Sequence, residues 1–132
     1  EQTILATIPD THRNGGRDAR LPNTSNLTFG GCEAEGILLL LDREGMCVSS
    51  GSACTTGSLA PSHVLTAMGL SAARAKGSVR FSLGIYNTAE EVDYLLAKLP
   101  PIIARLRGAA AEPNQTTSSI TAASSHATPV AA

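Results

Sequence analysis

A chain of 132 residues has room for one modest domain plus a tail, and it can bury a core without disulfides or a structural metal. Its 42% hydrophobic content is ordinary for a globular protein, while 3% aromatic residues and no Trp leave the core to Leu, Ile, Val and Ala. A formal net charge of -1 offers no basic field for phosphates, which excludes nucleic acid as the expected main partner.

Glu1 to Ile8 holds Ile4, Leu5 and Ile8 at helical spacing and runs into Pro9 without an N-terminal cap, as a helix entered partway would. Asp10 to Pro22 has loop composition, with a turn at Asn14-Gly15-Gly16. Asn23 to Phe29 alternates imperfectly and predicts a short strand that stops at Gly30-Gly31. Ala34, Ile37, Leu38 and Leu41 share one helical face, which Leu39 and Leu40 widen into a mostly buried helix ending at Gly45.

Met46 to Val48 is expected to be a brief strand. In the run Ser49 to Ser58 no side chain is larger than Cys or Thr, so packing cannot anchor it. Pro61 suits a first helical turn, Val64, Leu65 and Met68 form a stripe, and Gly69 closes it; a second short helix follows around Ser71 to Lys76. Ser78 to Leu83 alternates cleanly, with Val79, Phe81 and Leu83 on the core face and Arg80 on the other. Thr88 and Glu91 make a capping box for a long helix whose stripe runs from Val92 to Leu106, and Pro100-Pro101 is expected to kink or divide it. Residues 1–107 therefore read as one small α/β domain and 108–132, rich in Ala, Ser and Thr, as a disordered low-complexity tail.

No segment reaches the roughly 20 apolar residues of a membrane helix and there is no charged-then-apolar leader, so a soluble, cytoplasmic chain without membrane contact is expected. Cys32, Cys47 and Cys54 are odd in number and lack the spacing of a zinc site, so no metal is expected. Cys32 and Cys47 read as core residues. Cys54 differs, because it sits amid small flexible residues where burial cannot be its purpose. Residue type alone leaves it a reactive nucleophile, an incidental loop thiol, or a metal or disulfide partner. Arg80 is either half of a salt bridge across the sheet or a guanidinium that grips a carboxylate through two parallel hydrogen bonds. His63 reads as a capping or packing residue at a helix start.

The run Ser49-Ser50-Gly51-Ser52-Ala53-Cys54-Thr55-Thr56-Gly57-Ser58-Leu59, followed in order by Pro61-Ser62-His63-Val64-Leu65, Gly77-Ser78-Val79-Arg80-Phe81-Ser82-Leu83 and Asn87-Thr88-Ala89-Glu90-Glu91-Val92, closely resembles the NifS-like cysteine desulfurases. Upstream, Arg20-Leu21-Pro22-Asn23-Thr24 and Glu33-Ala34-Glu35-Gly36-Ile37-Leu38-Leu39 are similar to the same family. The resemblance implies the small C-terminal domain of a fold-type I transferase that depends on pyridoxal 5'-phosphate. Cys54 matches the family's nucleophile, which takes sulfur from L-cysteine as a persulfide and leaves alanine. Arg80 matches the residue that holds the substrate carboxylate.

The resemblance further implies a sulfur-acceptor or iron–sulfur scaffold protein as partner and a homodimer for the full-length enzyme. The cofactor lysine is expected outside this chain, so the isolated segment is expected to be inactive. Ala60 and Ile85 depart from the pattern, standing where relatives commonly carry Glu and Arg. At about 3.3 Å per residue, half of a ten-residue loop reaches roughly 15 Å, the kind of travel that delivery of sulfur from a buried site requires. The rival expectation is a non-catalytic truncated module that binds a desulfurase or a scaffold.

Overall fold

Thr24, Asn26 and Thr28 alternate with Ser25, Leu27 and Phe29, and Ser78, Arg80 and Ser82 alternate with Val79 and Phe81. Two such segments laid side by side make a sheet with one polar and one apolar face. The computed structural model, which describes residues 1–50 and 60–111, has this arrangement. Its elements are α1 (Gln2–Thr7), β1 (Thr11–Arg13), β2 (Thr24–Phe29), α2 (Ala34–Arg43), β3 (Ser49–Ser50), α3 (His63–Ala67), α4 (Ala72–Lys76), β4 (Ser78–Ser82) and α5 (Ala89–Ala111). The strands form one sheet in the order β1-β2-β4-β3, and every neighbouring pair is antiparallel. A small α/β domain was expected, and this is one.

The apolar face carries Leu27, Phe29 and Val79, each fully buried, together with Phe81. Phe29 and Phe81 meet edge to face at 6.5 Å between ring centroids. Ile4 and Ile8 around α1, Ile37 and Leu41 of α2, and Leu99, Ile102 and Ile103 of α5 close over this face. The helices α1, α2 and α5 thus share one side of the sheet.

Several local expectations need correction. The helix α2 is amphipathic rather than mostly buried, since Leu39 is 63% exposed. It ends in a Schellman turn, in which Gly45 takes φ 78 and Met46 N–H reaches the Leu41 carbonyl at 2.9 Å. The strand expected at Met46 to Val48 lies instead at Ser49–Ser50, because Met46 and Val48 pack against the core without pairing. Leu83, placed on the core face by alternation, is 46% exposed because β4 ends at Ser82.

The long helix is not divided. Pro100 and Pro101 lie inside α5 and remove two N–H donors, yet Leu99, Ile102 and Ile103 on both sides of them are anchored in the core. The capping box forms as expected, with Glu91 accepting from Thr88 N–H at 3.1 Å and Thr88 Oγ1 accepting from Glu91 N–H at 3.3 Å. The helix runs on through Gly108 to Ala111, past the change in composition; residues 112–132 lie outside the described residues. On α3 only Leu65 of the expected stripe is buried, and Ser62, not His63, caps the helix. The three-residue β1 falls within the expected loop. It has no apolar alternation, and pairing with β2 makes it a strand.

At the start of the chain Glu1 accepts hydrogen bonds from Arg13 at 3.2 Å, Arg20 at 2.6 Å and Ser25 at 2.6 Å. Burial pushes its carboxyl up, but the bonds from Ser25, Arg20 and Arg13 outweigh burial and hold it at about 2 against a usual 4.5. The folded form therefore favours the ionised carboxylate. That stabilisation is complete above pH 4.5 and disappears as the pH falls toward 2. Urea titrations between these limits should show an acid loss on the order of 1–3 kcal/mol that is absent in Glu1→Gln. Phe29→Ala, which empties the centre of the core, should cost about 3–5 kcal/mol in the same measurement.

Candidate anion-binding face of the sheet

The polar face of the sheet divides into a closed end and an open end. At the closed end Thr28 and Ser78 are opposite one another in the β2/β4 register and both are buried. A buried hydroxyl costs free energy unless it is paired, and here each one is. The Thr28 and Ser78 hydroxyls lie 2.7 Å apart. Ser78 donates to the Arg74 carbonyl of α4 at 2.7 Å. Asn14, also buried, brings its Nδ2 to Thr28 Oγ1 at 2.8 Å and to Ser78 Oγ at 3.1 Å. Its Oδ1 accepts from Thr28 at 3.1 Å. Gly77 fits the α4 to β4 junction because a Cβ there would come within 2.9 Å of the Phe29 carbonyl oxygen and closer still to that of Cys32.

One step along each strand the face opens. Asn26 is opposite Arg80, and Ser49 of β3 is opposite Arg80 on its other side. Arg80 is exposed on the polar face, as the alternation predicts. The four salt bridges among the described residues join other groups, and Arg80 has no ion-pair or hydrogen-bond partner there. Among the described residues Arg80 thus forms no salt bridge across the sheet. A guanidinium with five donors on a face of amides and hydroxyls is chemically suited to a planar oxyanion.

Cys54 belongs to 51–59, which lie outside the described residues. The chain enters that stretch from Ser50, and neighbouring Ser49 is paired with Arg80. Of the other thiols, Cys32 is 9% exposed and burial pushes its pKa up, with partial opposition from Arg107, so it is a poor source of thiolate. Cys47, expected in the core, is exposed because the residues around it are an extended link rather than a strand.

Cys47 lies at a groove of about 610 Å³ between the end of α2, the end of β4 and the start of α5. That groove is on the apolar side of the sheet, and Phe81, Glu44, Glu90 and Glu91 are among the residues that line it. Three carboxylates in its lining disfavour an anionic ligand.

The chain's two lysines, Lys76 and Lys98, lie on α4 and α5. Lys98 is held by Glu44 at 2.7 Å and lies over the Tyr94 ring at 5.3 Å, on the helix side. Lys76 is an exposed residue in the last turn of α4. Among the described residues no cluster of His, Cys, Asp and Glu could hold a metal ion, and no helix is long and apolar enough to cross a membrane.

Sequence reasoning found Arg80 and missed Asn14 and Asn26. The signal was present in β2, where Thr24, Asn26 and Thr28 repeat the polar phase of Ser78, Arg80 and Ser82. Asn14, in a turn, carries no such signal.

Comparison with known proteins agrees with the motifs. A cysteine desulfurase of Nostoc sp. is 54% identical over 107 residues, which are 81% of this chain and 27% of that protein. The cysteine desulfurase NifS of Azotobacter vinelandii is 52% identical over the same share of each chain. The chain thus spans about a quarter of the length of the curated relatives it matches. Among solved structures, a NifS-like protein from Rickettsia africae superposes with a TM-score of 0.66 at 32% identity, covering 78% of this chain and 26% of that one. The family model described as aminotransferase class-V matches residues 2–95, most of the chain, and the chain belongs to that family.

Proposed function

We propose that this chain is the part of a cysteine desulfurase that supplies the sulfur-accepting thiol, Cys54, and the substrate-carboxylate clamp, Arg80. The observation that carries the reading is Arg80: an exposed guanidinium without a partner among the described residues, on the polar face, beside the strand from which the Cys54 segment departs. Three residues lie between Ser50 and Cys54, so the covalent chain keeps the Cα of Cys54 within about 14 Å of the end of β3. L-cysteine held by its carboxylate at Arg80 is therefore within reach of that thiol.

The cofactor is pyridoxal 5'-phosphate, which supplies the electron sink for carbon–sulfur cleavage. Lys98 is committed to Glu44, which supports a cofactor lysine in the portion that the longer relatives have and this chain does not match. In the reaction the Cys54 thiolate attacks the substrate sulfur, the bond from that sulfur to the substrate carbon breaks, and alanine and a Cys54 persulfide result. Neither an outside oxidant nor a reductant is consumed. The persulfide then passes to an acceptor or iron–sulfur scaffold protein, the full-length enzyme is a cytoplasmic homodimer, and the chain alone is inactive. Residues 1–107, with α5 carried on to Ala111, form the domain that does this work, and the remainder of the chain is an appendage.

The test exchanges the chain for its matching stretch in the Azotobacter vinelandii relative and follows alanine release from L-cysteine. Cys54→Ser should lower the rate about 100-fold or more, as loss of a covalent nucleophile does; full activity, or sulfur trapped on Cys32 or Cys47, would reject the assignment. Arg80→Ala should raise KM by about 30-fold, equivalent to ~2 kcal/mol of charge-assisted hydrogen bonding. An unchanged KM would remove the clamp.

A further inference from the structure

We propose that Asn26 is a second carboxylate-binding residue, whose side-chain N–H groups donate to a carboxylate lone pair that Arg80 leaves free. The inference rests on the carboxylate reading of Arg80 and adds a residue that the motifs do not single out.

The geometry begins with the ladder. Phe29 N–H bonds to the Gly77 carbonyl and Leu83 N–H to the Asn23 carbonyl, which fixes the hydrogen-bonded pairs of β2 and β4 at odd positions of β2. Asn26 and Arg80 are therefore a non-hydrogen-bonded pair, the class in which opposing Cα atoms approach to about 4.5 Å and side chains are closest. Both side chains are on the polar face. The register positions around them, Thr24, Ser82, Ser49 and Thr28, carry hydroxyls and no carboxylate.

The orientation of the Asn26 amide is set from behind. Its Oδ1 accepts from Asn14 Nδ2 at 2.7 Å. The orientation of the Asn14 amide is set by Ser78, whose hydroxyl proton goes to the Arg74 carbonyl, so that its oxygen accepts from Asn14 Nδ2 at 3.1 Å. With its acceptor spent, what Asn26 has left is Nδ2, and among the described residues no acceptor meets it. Asn14 is thus a positioning residue and Asn26 the one that touches ligand.

A guanidinium flanked by a neutral amide donor presents one positive charge and a surplus of N–H groups. That balance suits the monoanionic α-carboxylate of an amino acid, whereas a dianionic phosphate is better served by a second cation.

The experiment measures binding of L-alanine, a non-reacting α-carboxylate, by calorimetry in the full-length, cofactor-loaded protein, alongside KM and kcat for L-cysteine. Cysteamine, which lacks the carboxylate, is the control inhibitor. Asn26→Ala should weaken L-alanine and raise KM about five- to ten-fold, with kcat and the cysteamine inhibition constant unchanged, as loss of one hydrogen bond to a charged group does. Asn26→Asp keeps the acceptor for Asn14 and the shape of the side chain, and it sets a competing carboxylate beside Arg80. It should weaken L-alanine more than the alanine variant does, and it carries the test should Asn26→Ala fail to fold. L-alanine binding within two-fold of the parent in Asn26→Asp overturns the proposal. If Arg80→Ala is impaired while both Asn26 variants are not, only the Asn26 inference falls; if Arg80→Ala is unimpaired as well, the clamp reading falls with it.

Discussion

The register between β2 and β4 is the constraint on which the remaining structure depends. Leu27 opposite Val79 and Asn26 opposite Arg80 are consequences of the same alignment, one on each face. Side chains alternate with period two, so a slip of one residue on either strand would carry Arg80 into the core or Val79 into water. Apolar burial enforces the alignment, since Leu27, Phe29 and Val79 are fully buried beneath α2 and α5. At roughly 1.5–3 kcal/mol for each such side chain, the register is held with more free energy than a surface site could supply. The position of Arg80 is thus decided by residues on the opposite face of the sheet from it.

Along the polar face, cost and function change places within two residues. Thr28 and Ser78 are buried under α4, and their hydroxyls are stable only because Asn14 and the Arg74 carbonyl complete the network. At Asn26 and Arg80 the cover ends, so polar atoms no longer need internal partners and are free for a ligand. The same Asn14 amide serves both ends: it satisfies the hydroxyls behind and fixes the Asn26 amide in front. A closed network next to an open face holds side-chain orientation where loop packing could not.

Legibility followed the strength of local signals. The β4 segment, the capping box at Thr88 and Glu91, and the glycine at the end of α2 were readable because each is set by residues within about a turn of one another. β1 was not readable, since Thr11–Arg13 has neither alternation nor apolar content and owes its conformation to β2. That α5 continues undivided through Pro100 and Pro101 was not readable, because the burial of Leu99, Ile102 and Ile103 that offsets their missing donors is a tertiary fact. In the candidate site, Arg80 was legible as a charge in the polar phase of a strand. Asn26 was not, because its significance lies in a cross-strand neighbour and in an amide held from a turn twelve residues earlier.

Arg80 is exposed, and an exposed guanidinium binds a carboxylate weakly: ion pairs in water are worth about 0–1 kcal/mol, since solvent screens the charge and competes for every donor. A clamp worth ~2 kcal/mol needs the polar face to be covered, so that water leaves and the local dielectric falls. Nothing among the described residues covers the Asn26 and Arg80 end; α4 stops over Thr28 and Ser78. The curated relatives are almost four times as long as the matched stretch, which is ample material for such a cover. The chain therefore fixes the direction and spacing of the donors, while the strength of the site belongs to the assembled protein. This division of labour explains why the polar face stays so ordered at Asn26 and Arg80, beyond the part that α4 covers.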